Sequence, residues 1–318
     1  MPTTFWFLLL PGFSMMGLMS ATEPLRVANR FHADLYRWRL LSVDGGPVEA
    51  SNGMSLNVEG GLEDQGQPHT IFVVSGFEPL EAFSSRLANW LQRFAQQGAI
   101  IGGIDTGSFV LAEARLIDKQ RITLHWEAIN AFQERFPALQ VTQELFEIDG
   151  QRITTAGGTS TIDMMLTLIA RDQGEAMAVQ VSEQFVLGRI RSRQDHQRMQ
   201  ITNRYGVHNK KLSHVIAEME RRCENLLTPT QLAEAVDVTP RQLERLFRQH
   251  LNDTPANFYL NLRLDKARQL LRQSDMNVLE ISLACGFESS SYFSRRYRKR
   301  FGRSPSHDRH ENGRNSAV

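Results

Sequence analysis

The chain has 318 residues, of which 41% are hydrophobic and 22% charged, and carries a formal net charge of +1. Such a composition describes an ordinary globular protein, long enough for two or more compact units. Two cysteines, Cys223 and Cys285, exclude a disulfide scaffold and a cysteine-rich zinc site, and they suit a reducing cytoplasm.

The opening run FWFLLL (5–10) predicts a buried first strand. It is too short for a membrane helix, is followed by Pro11 and Gly12, and lacks the basic start of a signal peptide. WRLLSV (38–43), TIFVVSG (70–76) and AIIGGI (99–104) predict further strands, the last two buried on both faces. Between them, SATEPLRVANRF (20–31) and PLEAFSSRLANWLQRFAQQG (79–98) have helical spacing, the second stopped by Gly98. TLHW (123–126) predicts a short strand and AINAFQERFP a helix ended by Pro137. LQVTQELFEIDGQRITTAGG predicts two strands turning at Asp149-Gly150, and two helices follow in TIDMMLTLIARDQG and EAMAVQVSEQFVLGRI. The alternation predicts an α/β doubly wound, mainly parallel sheet over residues 1–188.

Residues 189–210 are polar and basic with no apolar face, and predict a linker. From 211 to 318 every periodic segment is helical, so a separate all-α domain is expected. The net charge conceals a division between these parts. Residues 1–187 hold 12 Lys+Arg against 21 Asp+Glu, a net of −9, while residues 188–318 hold 24 against 14, a net of +10. A basic half joined to an acidic one points toward a polyanionic partner.

The basic half contains a degenerate repeat. LAEAVDVTPRQLERLFRQHLNDTP (232–255) lies over ISLACGFESSSYFSRRYRKRFGRSP (281–305), matching Leu232 with Ile281, Leu243 with Phe293, Phe247 with Tyr297 and Leu251 with Phe301. Each copy predicts a helix, a tight turn and a second helix with a polar exposed face, which is the helix-turn-helix form that enters the DNA major groove. Candidate DNA contacts are Arg241, Gln242, Glu244 and Arg245 on the first such helix, and Ser289, Ser290, Ser291, Ser294, Arg295 and Arg298 on the second. Arg reads guanine, Gln reads adenine, and Ser reaches base edges or phosphate. Arg296, Lys299, Arg300 and Arg303 extend the second set with charge for phosphates.

Over residues 209–307 the chain resembles the AraC/XylS family of bacterial transcription activators. GFESSSYFSRRYRKRFGRSPSHDR carries the likeness through Gly286, Phe287, Ser291, Phe293, Phe301, Gly302 and Pro305. The resemblance implies double-stranded DNA and RNA polymerase as partners, with the segment NFYLNLRLDKARQLLRQS joining the two units.

GAIIGGIDTGSFVLAEARL (98–116) is a strand, a glycine-flanked turn and a helix, with Asp105 at the turn. Such elbows hold catalytic nucleophiles. As a helix N-cap Asp105 needs no further role. As a pocket residue at the strand ends of a doubly wound sheet, it selects a cationic small molecule. Phe13, Phe77, Thr106, His125, Trp126 and Glu127 lie near the same loops, and aromatic faces beside a carboxylate suit a quaternary ammonium or guanidinium group.

LLLPGF, VVSGF, GGIDTGSFVLAEARLID, the HW pair and TTAGGTSTIDMML resemble the PfpI-like branch of the class I glutamine-amidotransferase-like superfamily, over about residues 4–187. The resemblance implies a cysteine at the elbow and a histidine beside it. Here Asp105 occupies the cysteine position and His125 that of the histidine. A carboxylate is a far poorer acyl-transfer nucleophile than a thiolate, so the expectation is a sensor rather than an enzyme. No metal or cofactor is expected. Combined with an AraC-type half, the domain resembles regulators that sense amino-acid and quaternary-amine metabolites, most nearly the betaine- and carnitine-responsive branch. Such regulators pair into dimers. An arginine-responsive regulator, or a hydrolase or lyase using Asp105 and His125, are the alternatives.

Overall fold

A computed structural model describes residues 1–309 apart from Asp275. The end of the expected helical domain, 310–318, lies outside the described residues. The chain divides into two compact units between Gln197 and Arg198.

In the first unit β1 (Thr3–Leu9) leads to α1 (Met15–Phe31) and β2 (Tyr36–Leu41), then to the small hairpin β3 (Val48–Glu49) and β4 (Ser55–Leu56). β5 (Thr70–Val74), α2 (Ser85–Gln96), β6 (Ile100–Ile104) and α3 (Ser108–Glu113) follow. The remainder comprises β7 (Arg121–Ile122), α4 (Ile129–Arg135), β8 (Gln140–Val141), β9 (Phe146–Asp149), β10 (Arg152–Thr155), α5 (Ser160–Gln173) and α6 (Glu175–Gln184). The main sheet has the order β2-β1-β5-β6-β10-β9. Its pairs are parallel except β10 with β9, which turn back through Asp149-Gly150.

Alternation along β1 explains the two helical layers. Phe5, Phe7 and Leu9 join the core that holds α1, α5 and α6. Trp6 faces the other way, stacked at 6.1 Å on Trp90 and edge-on at 5.3 Å to Phe94 of α2. Successive strand residues point to opposite faces, so a strand covered on both sides is apolar throughout.

Four elements differ from their sequence expectation. α1 begins at Met15 instead of Ser20, because the Ser14 hydroxyl caps it by accepting the Gly17 N–H at 3.2 Å. α2 starts only at Ser85, capped by Ser84, so residues 79–83 are turns. The strand predicted at TLHW lies earlier, at Arg121–Ile122. Thr123 and Leu124 spend their polar groups on side chains and loops instead of a ladder. The expected linker is not a free connector either. Residues 191–197 hydrogen-bond to the first unit, and Ile201, Tyr205 and Val207 pack into the core of the second. Its polar composition conceals buried partners, which is why no apolar face announced it.

The second unit is helical: α7 (Ile201–Tyr205), α8 (Lys210–Arg221), α9 (Pro229–Glu234), α10 (Pro240–Leu251), α11 (Pro255–Gln273), α12 (Val278–Ala284) and α13 (Ser290–Phe301). α9 and α10 both open on Thr-Pro with a full capping box, Thr228 with Gln231 and Thr239 with Gln242. The repeat is physical. Leu232 and Ile281, Leu243 and Phe293, and Phe247 and Tyr297 are all buried. α11 holds the second copy in place through Arg263, which donates to the Cys285 and Gly286 carbonyls at 2.8 and 2.6 Å and stacks 3.9 Å over Phe287.

Candidate functional site

Parallel strands end on the same side of the sheet. The register pairs Leu9 with Val74 and Val74 with Ile104, so the loops after β1, β5, β6 and β10 meet there. Asp105 follows β6 directly and adopts φ +64°, an unusual backbone for a residue with a side chain. It is not the helix cap expected from the sequence. α3 begins at Ser108 with Gly107 in the cap position and no side-chain cap bond.

What positions Asp105 is contact from neighbouring loops. The Asp105 N–H donates to the Thr155 carbonyl at 3.1 Å, and the His125 N–H donates to the Asp105 carbonyl at 3.4 Å. Gly157 packs on the carboxyl so closely that an added Cβ would lie 2.6 Å from Oδ2. Gly157 also has φ +82°, so this position requires glycine twice over. Thr106, buried, donates its hydroxyl to the Gly76 carbonyl and ties the elbow to the loop after β5.

The electrostatics are unusual. Burial pushes the Asp105 carboxyl up to about 7; the Ser14 hydroxyl and Thr106 N–H oppose this, and the charge of Glu127 adds to it. No Lys or Arg forms an ion pair with Asp105 among the described residues. His125 is lowered by burial, against the influence of Glu127, whose carboxylate lies 3.9 Å from Nδ1. The imidazole is therefore neutral at neutral pH. Asp105, Ser14, Thr106, His125 and Glu127 thus form one cluster, with Trp126 at 5.6 Å from the His125 ring.

The aromatic cage expected from the sequence is corrected in part. Phe13 is fully buried and belongs to the hydrophobic core, held by backbone bridges to Ala50 and Gly76. Phe77 is the opposite, 61% exposed. The sequence reading overlooked Ser14 and Gly157. Their signal was position, since each sits in a loop that follows a strand whose end the elbow shares.

On the second unit, Arg241, Glu244 and Arg245 project from α10 into solvent, while Leu243 and Phe247 turn inward. Gln242 is exposed, yet its Oε1 accepts the Thr239 N–H at 2.8 Å, so only its amide NH2 is left for a base. Ser289 is the N-cap of α13, accepting the Tyr292 N–H. Ser291, Arg295 and Arg298 are exposed, and Ser290 and Ser294 are half-buried. Arg295 and Arg296 flank the Tyr292 ring at 5.7 and 6.0 Å. Two members of the expected phosphate cluster are otherwise engaged: Arg300 pairs with Asp265 at 2.7 Å and Arg303 with buried Asp308 at 3.8 Å.

A parallel sheet with an acid on its elbow, followed by tandem helix-turn-helix units with basic exposed helices, defines a DNA-binding transcriptional regulator carrying an amidotransferase-like domain. The DJ-1/PfpI family matches residues 6–171, and a helix-turn-helix domain family matches residues 232–311. The chain is 68% identical to the HTH-type transcriptional regulator CdhR of Pseudomonas aeruginosa, over 97% of this chain and 92% of that one. It is 40% identical to the HTH-type transcriptional regulator GbdR (97% and 84% covered) and 38% identical to the HTH-type transcriptional regulator ArgR (100% and 96% covered), both of P. aeruginosa. The chain belongs to this family of AraC-type regulators with a DJ-1/PfpI domain. Among the described residues no helix is long and apolar enough to cross a membrane.

Proposed function

We propose that the chain is a cytoplasmic, homodimeric transcription activator whose first unit binds a small cationic metabolite and leaves it unchanged. The preferred effector class is a quaternary amine such as glycine betaine or carnitine. The observation that carries this reading is Asp105, a half-buried carboxyl at the strand ends with Ser14 and Thr106 beside it and, among the described residues, no Lys or Arg paired with it. A positively charged ligand would supply the missing countercharge, and Trp126 offers an aromatic face nearby. An acid in place of a thiolate leaves the elbow poorly suited to acyl transfer, which supports sensing over turnover. Ligand binding changes transcription only insofar as its affinity differs between two states of the regulator. RNA polymerase is the partner through which activation would proceed.

A guanidinium would meet the same electrostatic need, so an arginine-type effector is the second reading. The name of the ArgR relative favours including it. A thermal-shift panel of glycine betaine, carnitine, choline, dimethylglycine and arginine tests both. One quaternary amine should raise the melting temperature of the wild type and leave that of Asp105→Ala unmoved. Stabilisation by arginine alone would select the second reading, and stabilisation of Asp105→Ala equal to wild type would remove the carboxylate from the account.

A further inference from the structure

The segment 189–197 forms the end of the first unit, and its contacts converge on the loops around Asp105. The Arg191 N–H donates to Asp163 Oδ1 at 2.7 Å, its Nε to Oδ2 at 2.9 Å, and its Nη2 to the Thr159 hydroxyl at 2.9 Å. Thr159 is two residues beyond Gly157, which packs on the Asp105 carboxyl. Gln197 Nε2 reaches the Thr123 hydroxyl and the Leu124 and Glu144 carbonyls at 2.9, 3.1 and 2.8 Å. Leu124 precedes His125, whose N–H donates to the Asp105 carbonyl. Between these ends Arg193 pairs with buried Glu147 at 3.1 Å, and its carbonyl accepts the Leu145 N–H at 3.0 Å.

Two properties distinguish this segment from an inert tail. It is held mostly by polar contacts, with Ile190 packed against the apolar core: Asp163 and Glu147 are 2% and 1% exposed and take Arg191 and Arg193 as partners. Undocking either arginine strips a buried carboxylate of its closest ion-pair partner, a costly loss, so the segment stays docked until the loops that carry its partners move. The second unit also begins at the next residue, Arg198, where α7 and α8 are tied by Arg204 to Glu220 at 2.8 Å. While the segment is docked, its nine residues belong to the first unit.

We propose that residues 189–197 are a latch: docked, they hold the DNA-binding unit on a short tether, and displacement of the Gly157 and His125 loops releases them. Release frees nine residues, which extended span at most about 30 Å. That is close to the roughly 34 Å between half-sites one helical turn apart. The identity of the natural trigger rests on the effector reading above, whereas the latch itself does not.

The test uses the full chain without ligand, so its outcome is independent of the amine panel. Gly157→Ala forces a Cβ against the Asp105 carboxyl, Asp105→Ala removes that carboxyl, and Arg191→Ala/Gln197→Ala cuts the latch directly. Hydrogen–deuterium exchange should rise about tenfold in the peptide spanning 190–197 in the double variant and in at least one elbow variant. The β5 amides should stay protected as a fold control. Small-angle X-ray scattering on the double variant should show a larger maximum dimension, by up to about 30 Å. Unchanged exchange at 190–197 in both elbow variants would overturn the coupling. Unchanged dimensions in the double variant would overturn the tether.

Discussion

Each unit holds an aspartate whose carboxyl is pushed upward by desolvation, Asp105 half-buried and Asp308 fully so, and they treat it in opposite ways. Asp308 in the second unit is 1% exposed and accepts the Tyr297 hydroxyl at 2.6 Å. Arg268, Arg272 and Arg303 surround it at 3.1, 3.5 and 3.8 Å. Burial alone would push that carboxyl up, but the tyrosine and the three guanidinium groups outweigh it and hold it below its ordinary range. Asp105 in the first unit is raised to about 7 by burial, with a second acid, Glu127, adding to the shift. A buried charge is normally paired. Compensation within the chain marks Asp308 as structural, whereas among the described residues no Lys or Arg pairs with Asp105, the feature on which the proposed ligand site rests.

The largest effect that would break this contrast is at Asp308. Asp308→Ala leaves three arginines around an empty position, and should destabilise the second unit by about 3–5 kcal/mol. Denaturant unfolding should show that unit melting early while the first keeps its midpoint. If Asp308→Ala is as stable as wild type, its ion cluster is ornamental and the contrast fails.

Asp105→Asn should do the reverse. A folded carboxyl raised above its unfolded value binds its proton more tightly when folded, so it lowers stability as pH climbs from about 4 to about 7. The asparagine variant lacks that penalty, which is at most about 4 kcal/mol. Its first unit should melt above wild type at pH 8 and equal it at pH 4. A variant no more stable at pH 8 would mean that Asp105 is already compensated.

A smaller effect belongs to the exposed cations. Arg245→Ala and Arg295→Ala should each weaken operator binding by about 1–3 kcal/mol, roughly 5- to 150-fold, in a titration at fixed salt. Arg300→Ala should cost less, because Arg300 already pairs with Asp265. Equal losses at Arg300 and Arg295 would show that the Asp265 pair opens on DNA.

The architecture was legible because its signals are periodic. FWFLLL and TIFVV are short apolar runs that read as buried strands, and the 49–50-residue repeat brings Leu243 and Phe293 into equivalent buried positions. The DNA-facing helices followed from the same period, although the capping duty of Gln242 and the ion pair of Arg300 did not. Both depend on partners that no spacing announces. The elbow was legible as a turn but not as a conformation. Its φ of +64° and the glycine at 157 are set by approach of separate loops. Phe13 was misplaced because an aromatic following a strand reads the same whether it turns into the core or out of it. The segment 189–197 was misread for a related reason: Arg191 and Arg193 look solvated until Asp163 and Glu147 are placed beneath them.

The central claim is that Asp105 must be ionised to hold a cation. Isothermal titration of the wild type with the quaternary amine selected by the thermal-shift panel, between pH 5.5 and 8.5, tests it most directly. Affinity should rise about tenfold per pH unit below about 7 and level off above it, with proton release visible as buffer-dependent heat. Asp105→Asn should bind weakly and show no slope. Equal affinity at all pH values, or an asparagine variant that binds as tightly as wild type, would contradict the account.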